Sequence, residues 1–175
     1  MKSITNRKIG LPSAVLFLTL ATAGVAAADT TVPFKGSVQG HEVDQPQGGN
    51  PPSQLLVNGR LTGVATQLGR FTMTYRVTVN LDPQAGAPGS ATGSGELTAA
   101  NGDTLLTSIV GQGVPVEGEP SLNKIVEIHT ITGGTGRFAN TTGSFILERI
   151  VDLGGQPAAT AGSFQGTISR PSGAH

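Results

Sequence analysis

The chain of 175 residues lacks cysteine and tryptophan, and only 13% of its residues are charged. Without cysteine it can form neither a disulfide nor a zinc–thiolate site, and it has no cysteine nucleophile. Its formal net charge is zero, which argues against intrinsic disorder because disordered chains are usually highly charged. These absences leave a folded domain that is stabilised by packing and backbone pairing alone.

Glycine and proline, in contrast, are abundant, with 26 and 11 residues. The longest segment free of both spans residues 70–82, so a helical bundle is excluded. That segment is rich in β-branched residues, which favour strands. Within it Phe71, Met73 and Tyr75 alternate with polar residues, the period of a strand with one buried face. The composition therefore predicts an all-β protein.

The first 28 residues have the pattern of a secretory signal peptide. Three basic residues precede an apolar run that ends in three alanines, Ala26–Ala28. We expect cleavage after Ala28 and a secreted or periplasmic location, whereas a retained segment would be an N-terminal anchor. Residues 29–175 then form a single domain with 8 basic and 11 acidic residues, a net charge of −3. That charge does not suit nucleic-acid binding, and no membrane span is expected after cleavage.

Eight segments have strand composition, and no helix is predicted between them. They are residues 32–40, 54–63, 69–80, 93–100, 103–111, 122–132, 143–151 and 161–170. Asn101-Gly102 predicts a two-residue hairpin turn with positive φ between the fourth and fifth strands. Longer connectors are expected at 41–53, 81–92, 112–121 and 152–160. This pattern predicts an eight-stranded antiparallel up-and-down barrel, with a two-sheet sandwich as the alternative.

The first and last predicted strands contain similar sequences. Residues 34–38 and residues 164–168 both place phenylalanine two positions before glycine, followed by a hydroxyl residue and a β-branched residue. If the two strands are neighbours where the barrel closes, similar sequences meet similar geometry. Chance similarity in a composition rich in glycine, serine and threonine is the alternative.

The most distinctive segment, residues 131–139, contains Gly133, Gly134, Gly136 and Phe138. Its glycine spacing fits a dinucleotide fingerprint, but a strand follows it instead of the helix that would bind the pyrophosphate. We therefore expect no cofactor, and we expect a tight turn with Phe138 folded back as a plug. Together with Gly143, the segment resembles the Gly-Gly-Thr-Gly-x-Phe turn of dirigent proteins and, more widely, the allene oxide cyclase barrel group.

This resemblance implies an eight-stranded antiparallel barrel, often trimeric, with an apolar cavity. Known members guide the coupling of phenoxy radicals or cyclise unstable intermediates. Dirigent active sites place acidic residues in the first strand, whereas the predicted first strand here contains no carboxylate. The resemblance therefore implies the fold and a cavity, and it does not extend to the activity.

Three polar residues are weak catalytic candidates. Glu127 and His129 share one strand face with Ile125 and Ile131, but the opposite face is equally apolar. Facing inward, the pair would be suited to proton transfer or ligand binding; facing solvent, which is the commoner case, it would do neither. Tyr75, the only tyrosine, lies on the apolar face of its strand and is expected in the core.

Three arginines are weak candidates for binding an anionic group of a ligand. Arg149 shares a face with apolar residues but is expected at the surface. Arg70 and Arg137 each follow a turn glycine and precede a phenylalanine, so contacts with an aromatic ring or loop carbonyls are expected. The three histidines are scattered, so no metal site is expected, and residues 41–44 in the first connector would bind a cation only weakly.

These observations favour an exported barrel that binds a small apolar ligand in its lumen or a protein partner on its outer face. A cyclase- or dirigent-like enzyme that positions a reactive intermediate is the alternative, with Glu127, His129 or Tyr75 as lumenal groups. A third hypothesis is a structural, envelope-associated β-protein whose lumen is filled by side chains. The sequence leans toward a protein without catalytic activity, and the resemblance adds a homo-oligomer as an expected partner.

Overall fold

The computed structural model describes residues 30–81, 89–169 and 171, so the expected signal peptide lies outside the described residues. Eight strands follow one another in the chain. They are β1 (Thr31–Gln47), β2 (Gln54–Ala65), β3 (Gly69–Asn80), β4 (Gly89–Ala99), β5 (Thr104–Val116), β6 (Glu119–Gly134), β7 (Gly143–Asp152) and β8 (Ala158–Ser169). Each pairs antiparallel with the next, and β8 pairs with β1 to close the barrel. The predicted barrel is confirmed, and the sandwich is wrong.

The barrel closes where the sequence similarity placed its seam. In the register of β1 and β8, Phe34 lies opposite Gly166 and Gly36 lies opposite Phe164. The Phe164 ring covers Gly36 so closely that a Cβ atom there would lie 2.6 Å from the ring. The Phe164 ring therefore lies over a position without a side chain, which is the close approach that an in-strand glycine permits.

All four predicted connectors are shorter than expected, and two of them differ most. Strand β1 continues to Gln47 through Pro46, and β5 and β6 are separated only by residues 117–118. Beyond Glu42, β1 pairs with β2 alone, so Pro46 occupies an edge position where its missing N–H disturbs no second ladder. Pro46 therefore lies within a strand at the rim of the barrel, where the sequence predicted a connector.

The hairpin between β4 and β5 is present, but its turn differs from the prediction. The connection comprises residues 100–103, and Gly102 donates its N–H to the carbonyl of Ala99 at 2.9 Å. Gly102 has a φ of +88°, whereas Asn101 is not in the left-handed region. A turn closed by a single left-handed glycine replaces the two-residue turn, which needs positive φ at both positions.

The two ends of the lumen differ in chemistry. One end is filled by a cluster of buried aromatic rings, in which Phe34, Phe145 and Phe164 lie with centroids 4.9–5.3 Å apart. Phe138, in a 3-10 turn at Gly136–Phe138, is fully buried and closes this end. The other end opens between the rims of the strands. Among the described residues, no helix is long and apolar enough to cross a membrane.

Candidate functional site

A buried ionic network crosses the middle of the lumen. Glu42 on β1, Glu127 on β6 and Arg149 on β7 all point inward and are each at most 5% exposed. They face inward because each shares the period-two face of its strand with core residues. For Arg149, for example, the neighbours on that face are Leu147 and Val151.

Arg149 is held from two sides. Its Nε and one terminal nitrogen donate to the two carboxylate oxygens of Glu127 at 3.1 and 3.2 Å. The other terminal nitrogen donates to Glu42 Oε2 at 2.6 Å and to Thr160 Oγ1 at 3.3 Å. A bidentate pair and a second carboxylate satisfy the guanidinium, as a buried charge requires.

Tyr75 extends the network across the barrel. Its hydroxyl donates to Glu42 Oε2, and its ring lies 5.2 Å from the guanidinium carbon of Arg149. The ring also covers Gly59, where an added Cβ would overlap it. Glycine on β2 thus provides the space in which a tyrosine from β3 can reach a carboxylate on β1.

His129 lies between the ionic network and the aromatic cluster. Its ring stacks on Phe145 with centroids 4.5 Å apart, and its Nδ1 lies 3.1 Å from Thr107 Oγ1. Its Nε2 lies 3.9 Å from Glu127 Oε2 and has no hydrogen-bond partner among the described residues. This distance allows an ion pair if the imidazole is protonated, but it is too long for a hydrogen bond.

A cavity of about 220 Å³ opens above the network, at the rim of the barrel. Its walls are mostly aliphatic and its floor is charged. Its lining includes Leu55, Val57, Val77, Val79, Ile125 and Val151 on the walls, and Glu42, Glu127 and Arg149 on the floor. Asp44 also lines the cavity, and its Oδ1 is buried without a hydrogen-bond partner among the described residues.

The carboxylates at the floor have different electrostatic environments. Burial would raise the pKa of Glu127, but His129 and the paired Arg149 outweigh it and lower the pKa to about 2. Burial and the neighbouring Glu42 raise the pKa of Asp44, against a smaller opposing effect of Arg149. Burial raises the pKa of the Tyr75 hydroxyl as well. Glu127 is therefore a fixed anion, whereas Asp44 keeps its proton to a higher pH than an ordinary aspartate does.

The structure corrects three expectations about the site. Arg149 is buried in the lumen and not at the surface, and Glu127 and His129 face inward and not toward solvent. The first strand also contains carboxylates, because β1 extends past residue 40 and includes Glu42 and Asp44. The inward parity of Phe34 and Val38, continued by steps of two, was the available signal for Glu42.

The remaining predicted residues lie away from this site. Arg137 lies over the Phe138 ring at 4.8 Å and donates to the carbonyl of Leu68 at 3.4 Å, the contacts expected of it. Arg70 is exposed on the outer face. Gly133, Gly134, Gly136 and Gly143 lie in or beside the turn at the closed end. No cluster of three potential metal ligands occurs in the part of the chain that the structure describes.

No protein-family model matches the chain, and no curated protein matches it significantly. Among solved structures it is similar to the pterocarpan synthase dirigent protein GePTS1, at 12% identity and a TM-score of 0.50 over 86% of this chain and 96% of that one. A second, PsPTS1, is 14% identical, with a TM-score of 0.49 over 83% and 98%. The expected dirigent-like fold is confirmed.

Proposed function

We propose that this protein binds a small, mainly apolar molecule in the open half of its barrel. The observation behind the proposal is the cavity with aliphatic walls and a polar floor, which is the usual composition of a small-molecule site. A dry cavity of about 150 Å³ is enough to bind benzene, so 220 Å³ suits one ring with a short substituent. The lumen is not filled by side chains at this end, which disfavours a purely structural role.

The test uses benzyl alcohol as the probe and NMR chemical shifts of the isotope-labelled protein as the readout. We expect shifts at wall residues such as Val57, Val77 and Ile125. Ala91, a buried residue of the cavity wall, is replaced by phenylalanine (Ala91→Phe), whose ring would fill the space and abolish binding. Thr92→Phe, on the outer face of the same strand, is the control. Shifts confined to the outer face, or unchanged binding by Ala91→Phe, would contradict the proposal.

Proton transfer in the bound molecule is a second candidate function, and Asp44 favours it. The Asp44 oxygen without a partner faces the cavity. The pKa of Asp44 is raised from that of an ordinary aspartate toward neutrality, as general acid–base catalysis requires. One structural neighbour, GePTS1, is named as a synthase. The probe is 5-nitrobenzisoxazole, in which a carboxylate removes the ring C–H proton while the N–O bond breaks. We expect turnover that Asp44→Asn abolishes; equal turnover by that variant would contradict this role.

We propose further that the protein is exported and that residues 1–28 are removed. The first described strand begins at Thr31, so cleavage after Ala28 leaves the barrel whole. The mass of the protein recovered from outside the cytoplasm tests this directly. A mature chain that starts at residue 29 is expected, and a full-length mass would contradict cleavage.

A further inference from the structure

The charges at the floor of the cavity are unequal in number. Three carboxylates, from Glu42, Asp44 and Glu127, surround one guanidinium, that of Arg149. Two of them already neutralise Arg149 through direct hydrogen bonds. The third, Asp44, has no cationic side chain within salt-bridge distance in the part of the chain that the structure describes.

Arg149 has little to offer an anionic ligand. Four of its five N–H donors already bond to Glu127, Glu42 or Thr160. An anion entering the cavity would meet three carboxylates and a guanidinium whose charge is already matched, so it would lose its hydration for little gain. The site therefore selects against acids.

Asp44 offers what a cation needs. Its buried Oδ1 has no hydrogen-bond partner among the described residues and lines the cavity. Leaving such an acceptor unpaired is costly, whereas a hydrogen bond to a charged donor is about twice as strong as one between neutral groups. A positive ligand group would also relieve the repulsion between Asp44 and Glu42, which adds to the effect of burial in raising the pKa of Asp44.

We infer that the cavity selects a small molecule with an apolar, ring-sized body and a single protonated amine, which Asp44 binds. This inference rests on the proposed function and specifies the chemistry of its ligand. The aliphatic side chains of Leu55, Val57, Val77 and Val79 contact the body. The amine lies at the floor, where the carboxylates outnumber the guanidinium.

Three probes of matched size test the inference at pH 7. Benzylamine is cationic, benzyl alcohol is neutral and benzoate is anionic, and calorimetry or NMR titration gives the affinity of each. We expect benzylamine to bind about tenfold more tightly than benzyl alcohol, because a charged donor replaces a neutral one. Benzoate should not bind detectably. An alcohol that binds as tightly as the amine, or measurable benzoate binding, overturns the inference but leaves the proposed function intact.

Two variants test whether Asp44 causes the preference for benzylamine. Asp44→Asn keeps the shape of the side chain and removes its charge. We therefore expect this variant to bind benzylamine and benzyl alcohol with about equal affinity. Glu148→Gln removes an exposed carboxylate that points outward from β7, and it should leave the preference unchanged. A preference that survives Asp44→Asn overturns the role of Asp44. If none of the three probes binds to the wild type, the proposed function fails as well.

Discussion

At the residue scale, the carboxylates of the site differ in how well neighbouring groups stabilise their charge. Glu127 is stabilised as an anion by Arg149 and His129, whereas Asp44 is half-buried beside Glu42 without a cation of its own. Unpaired acceptors of this kind persist in proteins where they serve a ligand, because they lower stability. As the pH falls, the contributions of these two carboxylates to the free energy of unfolding therefore change in opposite directions.

Asp44→Asn is expected to stabilise the protein at pH 7 by on the order of 1 kcal/mol. The pKa of Asp44 is raised in the folded state, so its contribution to stability is present below the ordinary aspartate pKa and is lost as the pH rises through the folded value. The increase in the free energy of unfolding caused by Asp44→Asn should therefore be measurable at pH 7 and absent near pH 3. Urea unfolding at both pH values measures it, and a variant less stable than the wild type at pH 7 would contradict the reasoning.

Glu127 should behave in the opposite way. Its pKa falls from 4.5 to about 2 on folding, so its contribution is present above pH 4.5 and is lost as the pH falls toward 2. A shift of this size corresponds to about 3 kcal/mol. Glu127→Gln should cost a similar free energy of unfolding at pH 7, and the difference from the wild type should shrink in acid. A difference that is independent of pH would contradict this assignment.

At the scale of elements, the seam between β1 and β8 depends on glycine lying opposite phenylalanine. A methyl group at Gly36 would lie 2.6 Å from the Phe164 ring and 2.7 Å from the carbonyl oxygen of Val64. Both contacts are too short, and the second involves backbone, which cannot rotate away. The ring must leave the aromatic cluster or the strands must separate.

Gly36→Ala is therefore expected to destabilise the barrel by about 1–3 kcal/mol, the usual cost of overpacking. Thermal unfolding measured by circular dichroism gives the change. Ser37→Ala, at the neighbouring exposed position, is the control and should change stability by less than about 0.5 kcal/mol. Equal stability of the two variants would show that the strands at the seam accommodate a methyl group at Gly36, and it would contradict the prediction.

At the scale of the whole molecule, the outer face of β5, β6 and β7 bears an apolar row. Val110 lies opposite Ile128, which lies opposite Ile146, and the three are 59%, 52% and 44% exposed. Contiguous exposed apolar residues are typical of interaction surfaces. The expected homo-oligomer would bury this row against a second copy of the chain.

Ile128→Glu tests that expectation. A charge at the centre of the row should convert the oligomer to a monomer without affecting the lumen, since the side chain points outward. Light scattering coupled to size-exclusion chromatography measures the mass. Thr72→Glu, on the outer face of β3, should leave the assembly unchanged. A wild-type protein that is already monomeric would contradict the expectation.

The local pattern of the chain was sufficient to predict its strands and their closure. Glycine and proline interrupt every segment long enough to form a helix bundle, and period-two alternation is a property of neighbouring residues. The similar segments beginning at Phe34 and Phe164 even located the seam. These features depend on short stretches of sequence, so they could be predicted without knowing the packing.

Only the tertiary structure decided which strand faces line the lumen. Both faces of β6 and β7 mix apolar and charged residues, so local pattern could not orient Glu127 or Arg149. Their orientation depends on a partner far away in the chain, since Arg149 pairs with Glu42, 107 positions earlier. A charge can be buried only where opposite charges meet it, and barrel closure is what brings β1 to β7. The proposed ligand site therefore exists only once the ends of the sheet have joined.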